Sequence, residues 1–264
     1  MTPPPPLSRS AQLLLANRTL VIAHRGNSSV APENTLAAFR SATALGVDMV
    51  ELDYHQSADG VPVVIHDATL ERTTDAAIRW GEEKPAVAER TLAELVALDA
   101  GRWFAAEFAH ERLATLVEAI ETIHAGGCVT LIERKSGDPA ALVAALETHD
   151  RLGDVILQAF DWPFLAECRR LRPDLVVGAL GRREITAEKL VAALATGARF
   201  IGWADPDLTR EGIALAHEHG LKVFDFTVDD EARAAELIAF GIDGIISNRP
   251  AQIRPIVARS VAPD

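Results

Sequence analysis

The chain has 264 residues, 48% of them apolar, with 38 acidic against 26 basic side chains and a formal net charge of −12. That length suits one α/β barrel of about 250 residues, and the acidic balance excludes nucleic-acid or anionic-membrane binding through a broad basic face. An anionic small molecule stays compatible, because a bound divalent cation reverses the local sign. Residues 1–18, with the run Pro3 to Pro6 and the short apolar stretch Leu13 to Ala16, read as a partly disordered lead-in to a single catalytic domain over 19–264. The lead-in lacks the charged start and apolar region of a signal peptide, and no segment reaches the roughly 20 apolar residues that span a bilayer. Cys128 and Cys168 are far apart and form no CxxC pair, as expected of buried thiols in a reducing compartment. A cytoplasmic enzyme is the expectation.

In chain order, nearly continuous apolar runs at 20–23, 49–53, 61–65, 129–133, 155–158, 175–179, 200–203, 223–226 and 244–246 predict strands covered on both faces. Helical stretches alternate with them. One is expected to start at Asn34 as N-cap, turn Leu36, Phe39 and Leu45 inward, and stop at Gly46. Others cover 187–195, 211–218 and 231–240, each followed closely by a glycine (Gly197, Gly220, Gly241) that can end a helix in the left-handed conformation. This alternation predicts a parallel sheet with right-handed crossovers. Nine runs are one too many for an eight-stranded barrel, but only seven residues, 54–60, separate the second from the third. That is too few for a parallel crossover, so these two runs should form an antiparallel hairpin turning near Ala58 and Asp59. Eight parallel strands remain, which predicts an α/β fold of the (β/α)8 TIM-barrel type. The interruption at about 67–127 reads as an insertion on the active-site side, with an amphipathic piece at 92–98, a barrel helix near 116–123 and no clear second core.

Active sites of such barrels lie at the carboxyl ends of the strands. The first strand ends in His24-Arg25, the second in Glu51-Leu52-Asp53, the fourth in Glu133-Arg134-Lys135 and the fifth in Gln158. Strand alternation puts Glu51 and Asp53 on one face, and likewise Glu133 and Lys135. The hairpin count pairs residue 66 with residue 51, which returns His66 to the level of Glu51. Three carboxylates around one point repel and call for a cation, and hard oxygen ligands favour one divalent Mg²⁺ or Ca²⁺, with the histidines as competing ligands for Zn²⁺. Arg25 and Lys135 suit the remaining phosphate oxygens. Two histidines not needed as ligands can serve as base and acid in a displacement at phosphorus. The set describes phosphoryl transfer.

At these residues the sequence resembles the glycerophosphodiester phosphodiesterase family, one of the phospholipase C-like phosphodiesterase barrels. The stretch from His24 to Thr74, with HRGN, PENT, ELD and IHD, looks like that family's long first signature, and LIERK (131–135), QAF (158–160), FTVDD (226–230) and DGIISNRP (243–250) follow in the family's order. The resemblance implies a metal-dependent barrel that hydrolyses glycerophosphodiesters to glycerol 3-phosphate and an alcohol. It implies catalytic roles for His24 and His66, metal ligation by Glu51, Asp53 and Glu133, and phosphate contacts from Arg25 and Lys135. Gln158 and Phe226 are expected on the substrate side, Phe226 as an apolar wall. Glu33 and Asn34 match too, Asn34 as a helix cap and Glu33 as ligand or supporting group. The chain departs from the pattern at Phe226-Thr227-Val228-Asp229, where Trp-Thr-Val-Asn is usual, at Ser247-Asn248, where Thr-Asp is usual, and at Ala114, where proline is common. The first two, expected near the pocket floor and rim, bear on substrate preference. A lysophospholipase D or sphingomyelinase-like activity on lipids is the alternative, with Trp103, Phe104 and Phe108 as its apolar entrance. The expected partner is a small phosphodiester.

Overall fold

A computed structural model of the protein describes residues 7–261. Its strands are β1 (Leu20–Ala23), β2 (Met49–Gln56), β3 (Pro62–Val64), β4 (Val129–Arg134), β5 (Val155–Ala159), β6 (Val176–Gly181), β7 (Phe200–Ala204), β8 (Lys222–Phe226) and β9 (Gly244–Ser247). Parallel pairing runs from β2 through β4 to β9, and β1 pairs in parallel with both β9 and β2, which closes the ring. β3 pairs only with β2, antiparallel, and stands outside the ring. The fold is therefore an eight-stranded parallel barrel with helices between successive strands, and the ninth run is the returning arm of a hairpin, as expected.

The hairpin register differs by one residue from the sequence count. Tyr54 lies opposite Val64 and His55 opposite Val63, and the Ile65 N–H donates to the Asp53 carbonyl at 3.1 Å. Continued, this register sets position 66 against Leu52 and not Glu51. The turn centres on Asp59, where Gly60 takes a positive φ of 82°. His66 lies beyond the last ladder residue and reaches the barrel mouth where the chain leaves the strand.

Alternation along the strands sorts the apolar residues into two sets. Val21, Val50, Leu52, Ile132 and Leu157 face out and pack beneath the helices. Leu20, Ile22, Met49, Leu131, Ile156, Phe200, Phe224 and Ile246 face in and fill the barrel. The inward aromatics need space across the ring, and glycines supply it. A Cβ on Gly178 would sit 2.0 Å from the Phe200 ring, and one on Gly244 would sit 2.6 Å from the Phe224 ring. Phe200 and Phe224 lie with ring centroids 4.4 Å apart. This packing leaves no pore through the lower barrel.

Below the barrel a short helix, Arg9–Leu13, caps the floor, and Leu14 is buried against the inward set. The lead-in is thus built from residue 7 onward, while the proline run lies outside the described residues. The first barrel helix, Leu36–Ala44, is capped by Thr35, whose hydroxyl accepts from the Ala38 N–H at 3.3 Å. Asn34 is not the cap, contrary to the sequence expectation. It takes φ 58° and turns its amide toward β2. The insertion also departs from expectation, since it has a small core of its own: Leu70, Ala76, Val87, Leu95, Leu98, Ala100 and Leu113 cluster against Val63 and Ile65. Its amphipathic piece is helical only over Leu92–Leu95. No helix among the described residues is long and apolar enough to cross a membrane.

Candidate active site

In six of the eight barrel strands the inward-facing set continues upward into the residues of the site. One step above Ile22 in β1 is His24, above Met49 in β2 are Glu51 and Asp53, and above Leu131 in β4 are Glu133 and Lys135. Gln158, Phe226 and Asn248 follow Ile156, Phe224 and Ile246 in the same way. Side chains two residues apart share a face, so barrel closure alone brings these groups together. Of these, His24, Glu51, Glu133, Lys135, Gln158 and Phe226 line a cavity of about 140 Å³ at the mouth, with Arg25, His66, Phe160, Arg182, Thr227 and Ile246 completing its wall. Every site residue expected from sequence is in this wall except Asp53, which is fully buried directly behind it.

The acidic centre fits a divalent cation. Glu51, Asp53 and Glu133 each offer an oxygen, all within 4.8 Å of one another. Glu51 Oε1 is buried without a hydrogen-bond partner. Burial first, and then the charges of Asp53 and Glu133, push the Glu51 carboxyl well above its usual range. Glu133 is raised for the same two reasons. Burial also pushes Asp53 up, but Lys135 and Arg25 outweigh it and hold that carboxyl below its usual value. An unpartnered buried oxygen among like charges has a large desolvation cost unless a cation joins it. All-oxygen donors match Mg²⁺ or Ca²⁺ chemistry.

Cations and amides hold the cluster in place. Arg25 Nε lies 3.2 Å from Asp53 Oδ2, and the Arg25 N–H donates to Glu51 Oε2 at 2.9 Å. Arg25 has φ 55°, and Gly26 next to it packs so closely on the first helix that a Cβ would fall 2.7 Å from Ala38. Lys135 Nζ sits 3.1 Å from Asp53 Oδ1 and contacts Glu133. Asn34 reaches across from its loop: its amide donates to Asp53 Oδ2 at 2.9 Å and its carbonyl accepts from the Asp53 N–H at 3.2 Å. This grip, and not helix capping, is what Asn34 does. Glu33 is no candidate ligand, because Arg25 and Arg72 occupy its two oxygens at 2.8 to 2.9 Å.

The two histidines stand in different surroundings. His24 is mostly buried, with Nδ1 at 2.6 Å from Asn248 Oδ1 and Nε2 at 4.0 Å from Glu51 Oε2. Burial, reinforced by Arg25, lowers its pKa to about 4, so at neutral pH it is an uncharged ring able to take a proton. His66 is more open, and its Nδ1 meets Asp67 Oδ1 at 2.6 Å while Arg72 holds the other oxygen of Asp67 at 2.5 Å. The Asp67 carboxylate, held from behind by Arg72, thus fixes the orientation of the His66 ring. Sequence reasoning missed Asp67, Arg72, Phe160 and Arg182. Phe160 was findable, since it lies two residues beyond Gln158 in the inward phase of β5. Phe160 stacks edge-on against Phe226 at 5.9 Å, and Arg182 lies 5.1 Å over the Phe160 ring.

Fold and site together define a barrel enzyme of the phosphodiester-cleaving class. Comparison with known proteins agrees. The profile of the glycerophosphoryl diester phosphodiesterase family matches residues 24–252. The chain is 35% identical over 248 residues to a glycerophosphodiester phosphodiesterase of Caldanaerobacter subterraneus, covering 92% of this chain and 99% of the relative. It is 31% identical over 274 residues to one of Bacillus subtilis, covering 95% and 90%. Among solved structures, a phosphodiesterase of Oleispira antarctica in complex with the product sn-glycerol-3-phosphate superposes with a TM-score of 0.83 at 31% identity, covering 91% of this chain and 97% of that one. The chain belongs to the glycerophosphoryl diester phosphodiesterase family. It is an enzyme, a phosphoric diester hydrolase.

Proposed function

We propose that the protein hydrolyses small glycerophosphodiesters to glycerol 3-phosphate and an alcohol, with His24 as base, His66 as acid and one divalent cation held by Glu51, Asp53 and Glu133. The observation that carries this reading is the unpartnered Glu51 oxygen, buried beside Asp53 and Glu133 in the wall of a cavity that two histidines also line. When bound there, the cation supplies positive charge against the phosphate and acidifies a hydroxyl near it. Arg25 and Lys135 face the remaining phosphate oxygens, and Gln158 offers an amide from β5 with its Oε1 unpartnered. His24 Nε2 takes the proton of the glycerol 2-hydroxyl, whose oxygen attacks phosphorus. The bond from phosphorus to the alcohol breaks, and the departing oxygen takes a proton from His66. Water then opens the cyclic phosphate with the two histidines exchanging roles, as microscopic reversibility requires.

The aromatic trio that would favour a lipid substrate lies elsewhere. Trp103, Phe104 and Phe108 stack edge-on against one another within the insertion, and none of them lines the cavity. Phe160 and Phe226 leave only a small apolar patch at the mouth, suited to a short polar alcohol. We also read the chain from residue 19 onward as one catalytic unit, with about 67–127 attached to it. Two buried free thiols, Cys128 and Cys168, suit a reducing cytoplasm. The test is turnover of a glycerophosphodiester panel after chelation, with Mg²⁺ and Ca²⁺ added back separately. Loss of activity on chelation and recovery with one ion are expected. Full activity in the chelated enzyme overturns the metal assignment, and turnover of lysolipid in preference to glycerophosphocholine overturns the substrate class.

A further inference from the structure

We propose that Asp229, acting through the side-chain amide of Asn248, fixes His24 as the tautomer protonated on Nδ1, so that the lone pair on Nε2 faces the reacting centre. The inference rests on the reading of His24 as base and adds a positioning residue that does not line the cavity. The Asp229 carboxylate is the terminus of a short relay, and an ionised carboxylate can only accept. Burial pushes its pKa up, but hydrogen bonds from Asn248 and Ser247 outweigh that and hold it below the usual value. Asp229 Oδ1 accepts from Ser247 Oγ and from the Asn248 backbone N–H, each at 2.8 Å. Asp229 Oδ2 accepts from Asn248 Nδ2, also at 2.8 Å.

The amide nitrogen of Asn248 is therefore committed to Asp229, and its carbonyl must point the other way. That carbonyl, Oδ1, lies 2.6 Å from His24 Nδ1 and 3.1 Å from Ser28 Oγ. An oxygen with no proton to give, facing a ring nitrogen at 2.6 Å, requires that nitrogen to be the donor. Turning the amide over would set its oxygen against the Asp229 carboxylate, two acceptors face to face, and its NH₂ would suit only a His24 that had moved its proton to Nε2; with Asp229 ionised, the first contact forbids the turn. The orientation of Asn248, and with it the tautomer of His24, is thus set by a residue that never meets the substrate. Neutral His24 then has its free lone pair on Nε2, the atom on the side of Glu51. The same ring as the other tautomer would present a proton there and could not act as base. Elsewhere, a catalytic histidine held in the wrong tautomer loses about 10⁴ in rate.

The test combines a spectroscopic and a kinetic readout on the full chain, metal-free and Mg²⁺-loaded. Long-range proton–nitrogen correlation on ¹⁵N-histidine-labelled protein reports which ring nitrogen carries the proton, and His24→Gln identifies the His24 signals. The native protein is expected to show Nδ1–H at His24. In Asp229→Asn the Asn248 amide is free to turn, so the His24 signals should move toward the Nε2–H pattern and kcat should fall by about 10²–10⁴-fold, with KM changed by less than about threefold. The double variant Asp229→Asn/Asn248→Asp again puts an acceptor against Nδ1, now with an amide donor behind it. It should restore the Nδ1–H pattern and bring kcat back to within about tenfold of native. A purely structural pair would show no such rescue. The proposal is overturned if native His24 carries its proton on Nε2, if Asp229→Asn leaves tautomer and kcat unchanged, or if the double variant does no better than the single. A native protein that shows Nδ1–H yet turns over no diester overturns the proposed function and leaves the tautomer assignment supported.

Discussion

The lower and upper halves of the barrel interior are made by the same strands in the same alternation, yet they obey opposite rules. The lower half is apolar and closely packed: Ile22, Met49, Leu131, Phe200 and Phe224 lie together in one buried hydrophobic cluster. The upper half, one step further along each strand, concentrates Glu51, Asp53, Glu133, His24, Arg25 and Lys135 around a buried oxygen that has no partner. Stability is stored below, and unsatisfied electrostatic potential is held above. The difference shows why the site can exist at all. A carboxylate cluster that repels itself is tolerated only because the packed layer beneath fixes the strand ends from which it projects.

The largest effect that would break this division is at the top. His66→Ala should lower kcat by about 10²–10⁴-fold on a diester with a poorly activated alcohol, with the thermal midpoint within a few degrees of native. Near-native turnover would show that the upper half does not work as assigned. At the bottom, Phe224→Ala removes a fully buried ring and should cost about 3–5 kcal/mol of stability in urea titration. The turnover of the fraction that stays folded should be close to native. A loss of stability below about 1 kcal/mol would mean that the lower layer is not the packed support described.

A third expectation sharpens the comparison on the outer face of the same barrel. Asp225 is fully buried, accepts from the Ile246 N–H at 2.7 Å through Oδ1 and leaves Oδ2 unpartnered. Burial raises its pKa well above the usual value. The folded state therefore binds a proton that the unfolded chain releases near pH 3.9, so this contribution is fully present at low pH. As pH rises past that value it is lost at up to about 1.4 kcal/mol per pH unit. Asp225→Asn should flatten the fall in urea midpoint between pH 5 and pH 8, and equal slopes in variant and native protein would refute the assignment. The smallest effect on stability is at Glu51. In metal-free buffer Glu51→Gln relieves like-charge repulsion and should raise Tm by about 2–4 °C, the equivalent of about 1 kcal/mol, while abolishing metal-dependent turnover. A lowered metal-free Tm would mean that Glu51 stabilises the fold and is no store of potential.

Much of this was legible in the chain. The period-two alternation of β2 and β4 put Glu51 with Asp53 and Glu133 with Lys135 on one face, because a strand's side chains must alternate whatever surrounds it, while His24 was legible as a strand end whose role rested on the family resemblance. The short span between β2 and β3 required a hairpin, since no parallel crossover fits in it. What local pattern could not reach were contacts that depend on which loop comes to rest on which strand end. Asn34 looked like a helix cap because its neighbourhood is that of one, but Thr35 takes that place and Asn34 grips Asp53, 19 residues away. His66 was expected to arrive by pairing with Glu51, whereas the register is one residue different and it arrives by leaving the strand. Asn248 meets His24 across 224 residues of sequence, only because β9 closes the ring against β1. Periodicity and chain geometry act over a few residues and can be read from the sequence alone. Partnership between distant loops is decided when the barrel closes, and closure settled which proton-carrying groups face one another.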